Sequence, residues 1–205
     1  MENLLKISLV IHIIAGFSAL ISGLVAILSK KGAKTHILSG RIYFWGMVTV
    51  AITAVVLAVF KELTFLFSIA VFSFYLTFTG YRAVKDKKGN ANWLDWTVMA
   101  VTSLMNIYMI STLNVILVVF GVINLVNIST DIRFFMAKNP AKHFWLIRHI
   151  GKMCGAYIAT VTAFLVTNVH FLPEVFIWLL PTVIGTPLIA YTTKKYTPKV
   201  NVLMK

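Results

Sequence analysis

Long apolar runs separated by short polar joints organise this chain of 205 residues. The first run covers 7–28 and stops at Ser29-Lys30-Lys31. The second covers 42–60 and stops at Lys61-Glu62. A third, 63–81, leads into the polar turn that begins at Arg82 and passes Lys85, Asp86, Lys87, Lys88 and Gly89. Residues 93–128 then form one apolar stretch, which as a single helix would measure about 54 Å, far more than a bilayer core of ~30 Å needs. Ser111, Thr112 and Asn114 supply a break, so two spans are expected, 93–110 and 113–128. The segment 129–143 reads as a basic loop that holds the pair Phe134-Phe135, with a short amphipathic helix along the interface as its expected form. Spans 150–168 and 172–192 close the pattern, and Pro173, Pro181 and Pro187 should kink the last one.

Runs of roughly 16 to 22 apolar residues are about long enough to cross hydrocarbon as helices. Composition agrees: 59% of residues are hydrophobic and 12% are charged, about half the charged share of a soluble domain. The expected fold class is therefore all-α, a polytopic membrane bundle of seven transmembrane helices in one domain, 1–205. Met1 to Lys6 carries no basic leader region and no small-residue cleavage site follows before Lys30, so the first span is expected to be retained.

The net charge of +13 would suggest nucleic acid if it formed a patch on a soluble surface. Here it sits in short joints, which is the distribution of cytoplasmic loops. With seven spans, 17 of the 19 Lys and Arg fall on one side together with Asp86, Asp95 and Asp131, for a balance of +14. The other side holds Lys6 and Lys61 against Glu2, Glu62 and Glu174, a balance of −1. A single span at 93–128 would throw the basic 131–148 stretch to the wrong side. The positive-inside rule thus favours seven spans with the N-terminus outside and the C-terminus inside. The expected partners are the lipid bilayer and, for an assembly bundle, a second membrane protein or another copy of this chain; nucleic acid is not one.

The single cysteine, Cys154, lies within a span and reads as a small packing residue. His12, Gly16, Ala19 and Gly23 recur on one helical face of span 1, so His12 faces the bundle, bonded to a neighbouring helix or serving a separate outer site. His36 and Arg41 stand at the mouth of span 2; His143, Trp145, Arg148 and His149 stand at the mouth of span 6, with Trp145 and Arg148 reading as interface anchors. His143 and His149 are six residues apart, about 240° round a helix, so His36 pairs better with one of them than they do with each other. His149 and His170 lie about 31 Å apart along one helix, too far for two haems stacked within the core. Asn92 and Asp95 have the spacing of a capped helix start. Asp131 is expected to pair with Arg133 or Arg148. Asn106, Asn124 and Asn127 suit hydrogen bonds between helices.

Three short pieces resemble a known family: His12-Ile-Ile-Ala-Gly16, His36-Ile-Leu-Ser-Gly40-Arg41 and His143-Phe-Trp145-Leu-Ile-Arg148. They are similar to motifs of the predicted bacterial membrane proteins grouped as "domain of unknown function 2306", and the matching positions are His12, His36, Gly40, Arg41, His143, Trp145 and Arg148. The chain departs from that pattern at Phe144 and Leu146, and its late motif is one residue shorter between His143 and Trp145. The resemblance implies a multi-pass protein of a bacterial inner membrane and brings no activity with it. The His-x-x-x-Gly step also resembles b-type cytochromes of the b561 kind.

Three functions stay open. One is a non-catalytic bundle, either an assembly partner or a small transporter. Another is a redox protein that binds haem b at the cytoplasmic face through His36, His143 or His149, with Arg41 and Arg148 beside it. The third is a hydrolase whose zinc takes His36, His143, His149 and Asp131 as ligands. No Gly-rich phosphate loop, Gly-x-Ser-x-Gly, His-Glu-x-x-His or Cys-x-x-Cys is present to favour another chemistry.

Overall fold

The computed structural model describes residues 2–60, 63–137 and 143–196. These form seven α-helices: α1 Glu2–Leu28, α2 Lys34–Phe60, α3 Thr64–Lys85, α4 Trp93–Ser111, α5 Val115–Met136, α6 Phe144–Asn168 and α7 Glu174–Tyr196. Six of them, all but α4, are long and apolar enough to cross a membrane. Thr97, Thr102, Ser103 and Asn106 dilute the apolar run of α4. The all-α architecture and every break between apolar runs agree with the sequence pattern.

Helix ends differ from it in three places that matter. Helix α2 starts at Lys34, eight residues before the apolar run, so His36 and Arg41 lie within it. Helix α5 continues to Met136, so Asp131, Arg133, Phe134 and Phe135 extend that same helix and form no separate interfacial segment. Helix α6 starts at Phe144, which draws Trp145, Arg148 and His149 into its first turns. Hydropathy marks where apolar residues stop; the backbone keeps its hydrogen-bond ladder beyond that point wherever the polar residues find partners. Between α4 and α5 the expected break is sharp. Leu113 takes φ 55° and Asn114 caps α5, its side-chain oxygen accepting from the Ile116 and Leu117 amides.

Helices α1 and α2 form an antiparallel hairpin packed along most of its length, and α3 and α6 lie at the centre. Helix α3 touches α2, α4, α5 and α6; α6 touches α1, α3 and α7. Ile7, Ile14, Ile21 and Leu28 on α1 point outward, as do Leu104 and Ile107 on α4 and Val183, Ile184 and Leu188 on α7. Such faces suit lipid.

Since lipid solvates leucine as well as a core does, polar and small residues mark the inside. Ser68, Ser73, Thr77 and Thr79 are buried along α3 and Thr160 and Thr162 along α6. Their hydroxyls donate to carbonyls four residues back in the same helix, so they enter the core without orphan donors. An aromatic plug of Phe65, Phe72, Phe120 and Trp178 fills the end remote from the basic joints.

Close approach of α1 to its neighbours depends on Gly23. A Cβ there would stand 2.5 Å from Cδ2 of Tyr157 and 2.9 Å from Cδ2 of Tyr43. Both rings are held: Tyr43 shares a 3.2 Å hydrogen bond with Thr160, and Tyr157 donates to the Leu20 carbonyl at 3.3 Å. Gly23→Ala should therefore destabilise the bundle by about 1–3 kcal/mol, the cost of overpacking. Gly16→Ala should cost much less, since a Cβ at Gly16 meets nothing within 4 Å. Thermal unfolding of the two variants in detergent, read side by side, checks the contrast.

Candidate functional site

The inward faces of α3, α5 and α6 meet on one carboxylate. Asp131, on α5, is fully buried. Its Oδ1 accepts from Arg148 Nε at 2.8 Å. Its Oδ2 accepts from Lys152 Nζ at 2.6 Å and from the Tyr75 hydroxyl at 2.6 Å. Arg148 and Lys152 are one turn apart on α6 and thus share a face; Tyr75 comes from the middle of α3. Arg148 is 5% exposed and Lys152 2% exposed. The guanidinium carbon of Arg148 lies 4.3 Å from the centre of the Phe134 ring and 5.0 Å from that of Phe135. Lys152 Nζ lies 4.9 Å from the centre of the Tyr75 ring. The interfacial anchor expected at Arg148 is instead a buried ion-pair partner, because Asp131 faces it from α5.

The charges do not balance. Two cations share one carboxylate, and among the described residues Arg148 Nη2 is buried without a hydrogen-bond partner. The nearby aromatic rings stabilise a guanidinium cation, but they accept no hydrogen bond from its in-plane N–H donors.

A second ion pair joins α3 to α4. Arg82 Nε and Nη2 reach Asp95 Oδ1 and Oδ2 at 2.8 and 2.6 Å, a bidentate fork. Asp95 also completes the expected capping box: its amide donates to Asn92 Oδ1 at 3.1 Å, and its Oδ2 accepts from the Asn92 amide at 2.9 Å. Nearer the middle, Asn124 Nδ2 donates to Asn106 Oδ1 at 3.2 Å, joining α4 to α5 as expected. Asn127 bonds only the Ile123 carbonyl of its own helix.

The histidines separate into a pair and singles. His36 and His149 meet at the basic end with ring centroids 6.3 Å apart and ring planes at 85°. Each Nδ1 reaches a backbone carbonyl, His36 that of Ala26 at 2.9 Å and His149 that of Gly80 at 3.0 Å. A carbonyl only accepts, so both rings carry their proton on Nδ1, and each Nε2 keeps its lone pair while the ring is neutral. Lys31 donates to the Ala26 carbonyl at 3.2 Å and to the Ile27 carbonyl, so it and His36 together satisfy the last turn of α1. Burial pulls the Lys31 ammonium below its usual pKa, with nearby Cys154 opposing the shift.

His143 sits at the N-cap of α6 with no capping bond, about 240° round from His149. Arg41 is exposed and lines a groove between α1 and α2 with Ile14, Ser18 and Trp45. Five residues separate it from His36, about 140° round the helix, which keeps it from the pair. His12 Nδ1 lies 2.9 Å from the Thr53 hydroxyl on α2, a bond between helices near the opposite end. His170 is exposed beyond the end of α6. Among the described residues no three of His, Cys, Asp and Glu come together as a metal group. The set His36, His143, His149 and Asp131 is thus not assembled: Asp131 is engaged by Tyr75, Arg148 and Lys152, and His143 is turned away.

Lys152 and Tyr75 were not among the sequence candidates. The signal for Lys152 is a cation two turns inside an apolar helix, four residues after Arg148, where a charge needs a partner. Tyr75 gave none, since one tyrosine in an apolar run fits the packing as well as a hydroxyl donor.

Neither a family model, nor a curated protein, nor a solved structure matches the chain.

The uneven charge predicts uneven mutational cost. Asp131→Ala leaves two buried cations without a counter-charge and should destabilise the protein by about 3–5 kcal/mol. Lys152→Met leaves Asp131 paired with Arg148 and bonded by Tyr75, and should change stability by no more than about 1 kcal/mol. Urea unfolding of both variants in detergent checks this; equal losses would mean that Lys152 is needed to balance the site.

Proposed function

We propose that the chain is a seven-span integral membrane protein, N-terminus outside and C-terminus inside, that works as a small transporter and not as an enzyme. The observation that carries this is the cluster of Tyr75, Asp131, Arg148 and Lys152, buried between three helices. Ionisable groups inside a membrane bundle are costly and mark ion, proton or solute pathways by default. A purely structural core has no need of two cations for one carboxylate. Buried Asn124, bonded to Asn106 of α4, lies on the same face of α5 as Asp131, seven residues or about 10 Å away along the axis. Polar groups thus run inward from the basic end toward mid-span.

The seventh span and the orientation rest on charge: α4 is 19 residues, about 28 Å, and counting it as a span gathers the basic joints on one side. Asn3→Cys should react with a membrane-impermeant maleimide in intact cells, and Lys88→Cys should react only after lysis. The reverse pattern, or labelling of both in intact cells, would overturn the orientation. The transport reading is checked in liposomes. Vesicles holding the protein should dissipate a salt gradient several times faster than empty vesicles; protein that leaves every ion and proton gradient as tight as lipid alone would instead be a non-transporting assembly partner.

A second reading is favoured by the histidine pair. Metal ligands commonly donate their second ring N–H to a carbonyl, and His36 and His149 both do. The ring centroids lie 6.3 Å apart, and with each Nδ1 spent on a carbonyl it is Nε2 that each ring would offer to a metal. The pair supplies two imidazoles, which fits haem iron and falls short of the three ligands a catalytic zinc takes. When bound, haem b would supply one-electron redox chemistry; the role of this chain is to fix the two ring tautomers. Protein purified after expression with added haem should then show a Soret band that His149→Ala removes. No band in the wild-type protein would sink the haem reading and leave the transporter reading untouched.

A further inference from the structure

We infer that the cluster around Asp131 is an anion-binding site and takes one small monovalent anion, of halide or nitrate size. The inference deepens the transporter reading and rests on it for its biological sense; its physical basis is independent.

That basis is charge and donors. Arg148 and Lys152 carry two positive charges against one negative charge on Asp131, all at most 5% exposed. Three of the polar groups are spent on each other: Arg148 Nε on Asp131 Oδ1, and Lys152 Nζ and the Tyr75 hydroxyl on Oδ2. Arg148 Nη2 is buried and has no partner among the described residues. An unpaired donor and an uncompensated charge in the same low-dielectric place each cost free energy. A water molecule would satisfy the donor and leave the charge. One monovalent anion satisfies both, and a divalent one would reverse the imbalance.

The walls fix the direction of approach. Phe134 and Phe135 lie against the guanidinium, and Phe134 also stacks on Phe144 at 5.3 Å between centroids. A guanidinium donates in its own plane, so an ion must meet the free donor edge-on, beside aromatic rings. Apolar walls favour weakly hydrated anions over strongly hydrated ones such as sulfate, because the ion must shed its water. The basic end of the bundle is the nearer surface. Arg148 is in the second turn of α6, beneath a rim that carries Lys85, Lys87 and Lys88, with Lys87 Nζ 4.5 Å from the centre of the Trp145 ring. Such a rim raises the local concentration of anions.

The test is equilibrium binding to the purified full-length protein in detergent. Radiolabelled chloride should bind saturably at about one ion per chain. At constant ionic strength, the unfolding temperature should rise with chloride, bromide or nitrate relative to gluconate. Lys152→Met makes the cluster neutral and should weaken chloride binding at least tenfold while the protein stays folded. Asp131→Asn, which keeps the shape and raises the balance to +2, should bind chloride at least as tightly as the wild type. Lys6→Gln, at the other end of the chain's charge distribution, should change nothing. Absence of saturable chloride binding by the wild type overturns the inference, as does binding that Lys152→Met leaves intact. Binding by a protein that is silent in liposomes sinks the transporter reading and leaves the site standing; ion flux without chloride binding does the reverse.

Discussion

One carboxylate holds the middle of this protein together. Asp131 accepts from a tyrosine on α3 and from an arginine and a lysine on α6. Helix association in lipid cannot draw on hydrophobic burial, because the alternative to a protein contact is another apolar contact. Directed polar bonds and close packing of small residues must set which helices meet and in what rotation. Asp131 sets both for three helices at once, and an ion network of this kind tolerates little slip, since any slip leaves a buried charge unpaired.

The other polar contacts extend the same logic outward. The Arg82–Asp95 fork ties α3 to the start of α4, the Asn106–Asn124 bond ties α4 to α5, and His12 with Thr53 ties α1 to α2. The two hydrophilic groups at the basic end serve different ends. The Asp131 cluster is charged, closed in and unbalanced. The histidine pair closes the end of α1 and, among the described residues, has no hydrogen bond at either Nε2. Function is sought in the first because an unbalanced buried charge has no structural purpose that a balanced one would not serve better. The second has a structural purpose already, in satisfying the Ala26 and Gly80 carbonyls.

Much of the site was visible as parts and not as a whole. The Asn92–Asp95 cap, the break at Asn114 and the pairing of His36 with a histidine of α6 were legible, because each depends on spacing along one helix or on which end of a span a residue occupies. Asp131 was legible as a partner for Arg148, yet its depth was not. A hydropathy pattern that stops near residue 128 hides the two further turns of α5 that carry the aspartate inward. Lys152 looked like one more basic residue of an inner mouth. Its burial follows from α6 starting at Phe144, with α3 and α5 supplying Tyr75 and Asp131 to receive it.

By itself, then, the sequence determined that the chain is all helix, where one helix breaks from the next, and which joints are basic. These are properties of runs and periods, set by the length of chain needed to cross hydrocarbon and by the 3.6-residue turn. Only the tertiary structure decided that Tyr75, Asp131, Arg148 and Lys152 meet, that His143 and Arg41 stay apart from the histidine pair, and that one guanidinium nitrogen is left without a partner. The reason is physical: each of those outcomes depends on the rotation of one helix against another, and in an apolar solvent that rotation is fixed by contacts between residues far apart in the chain.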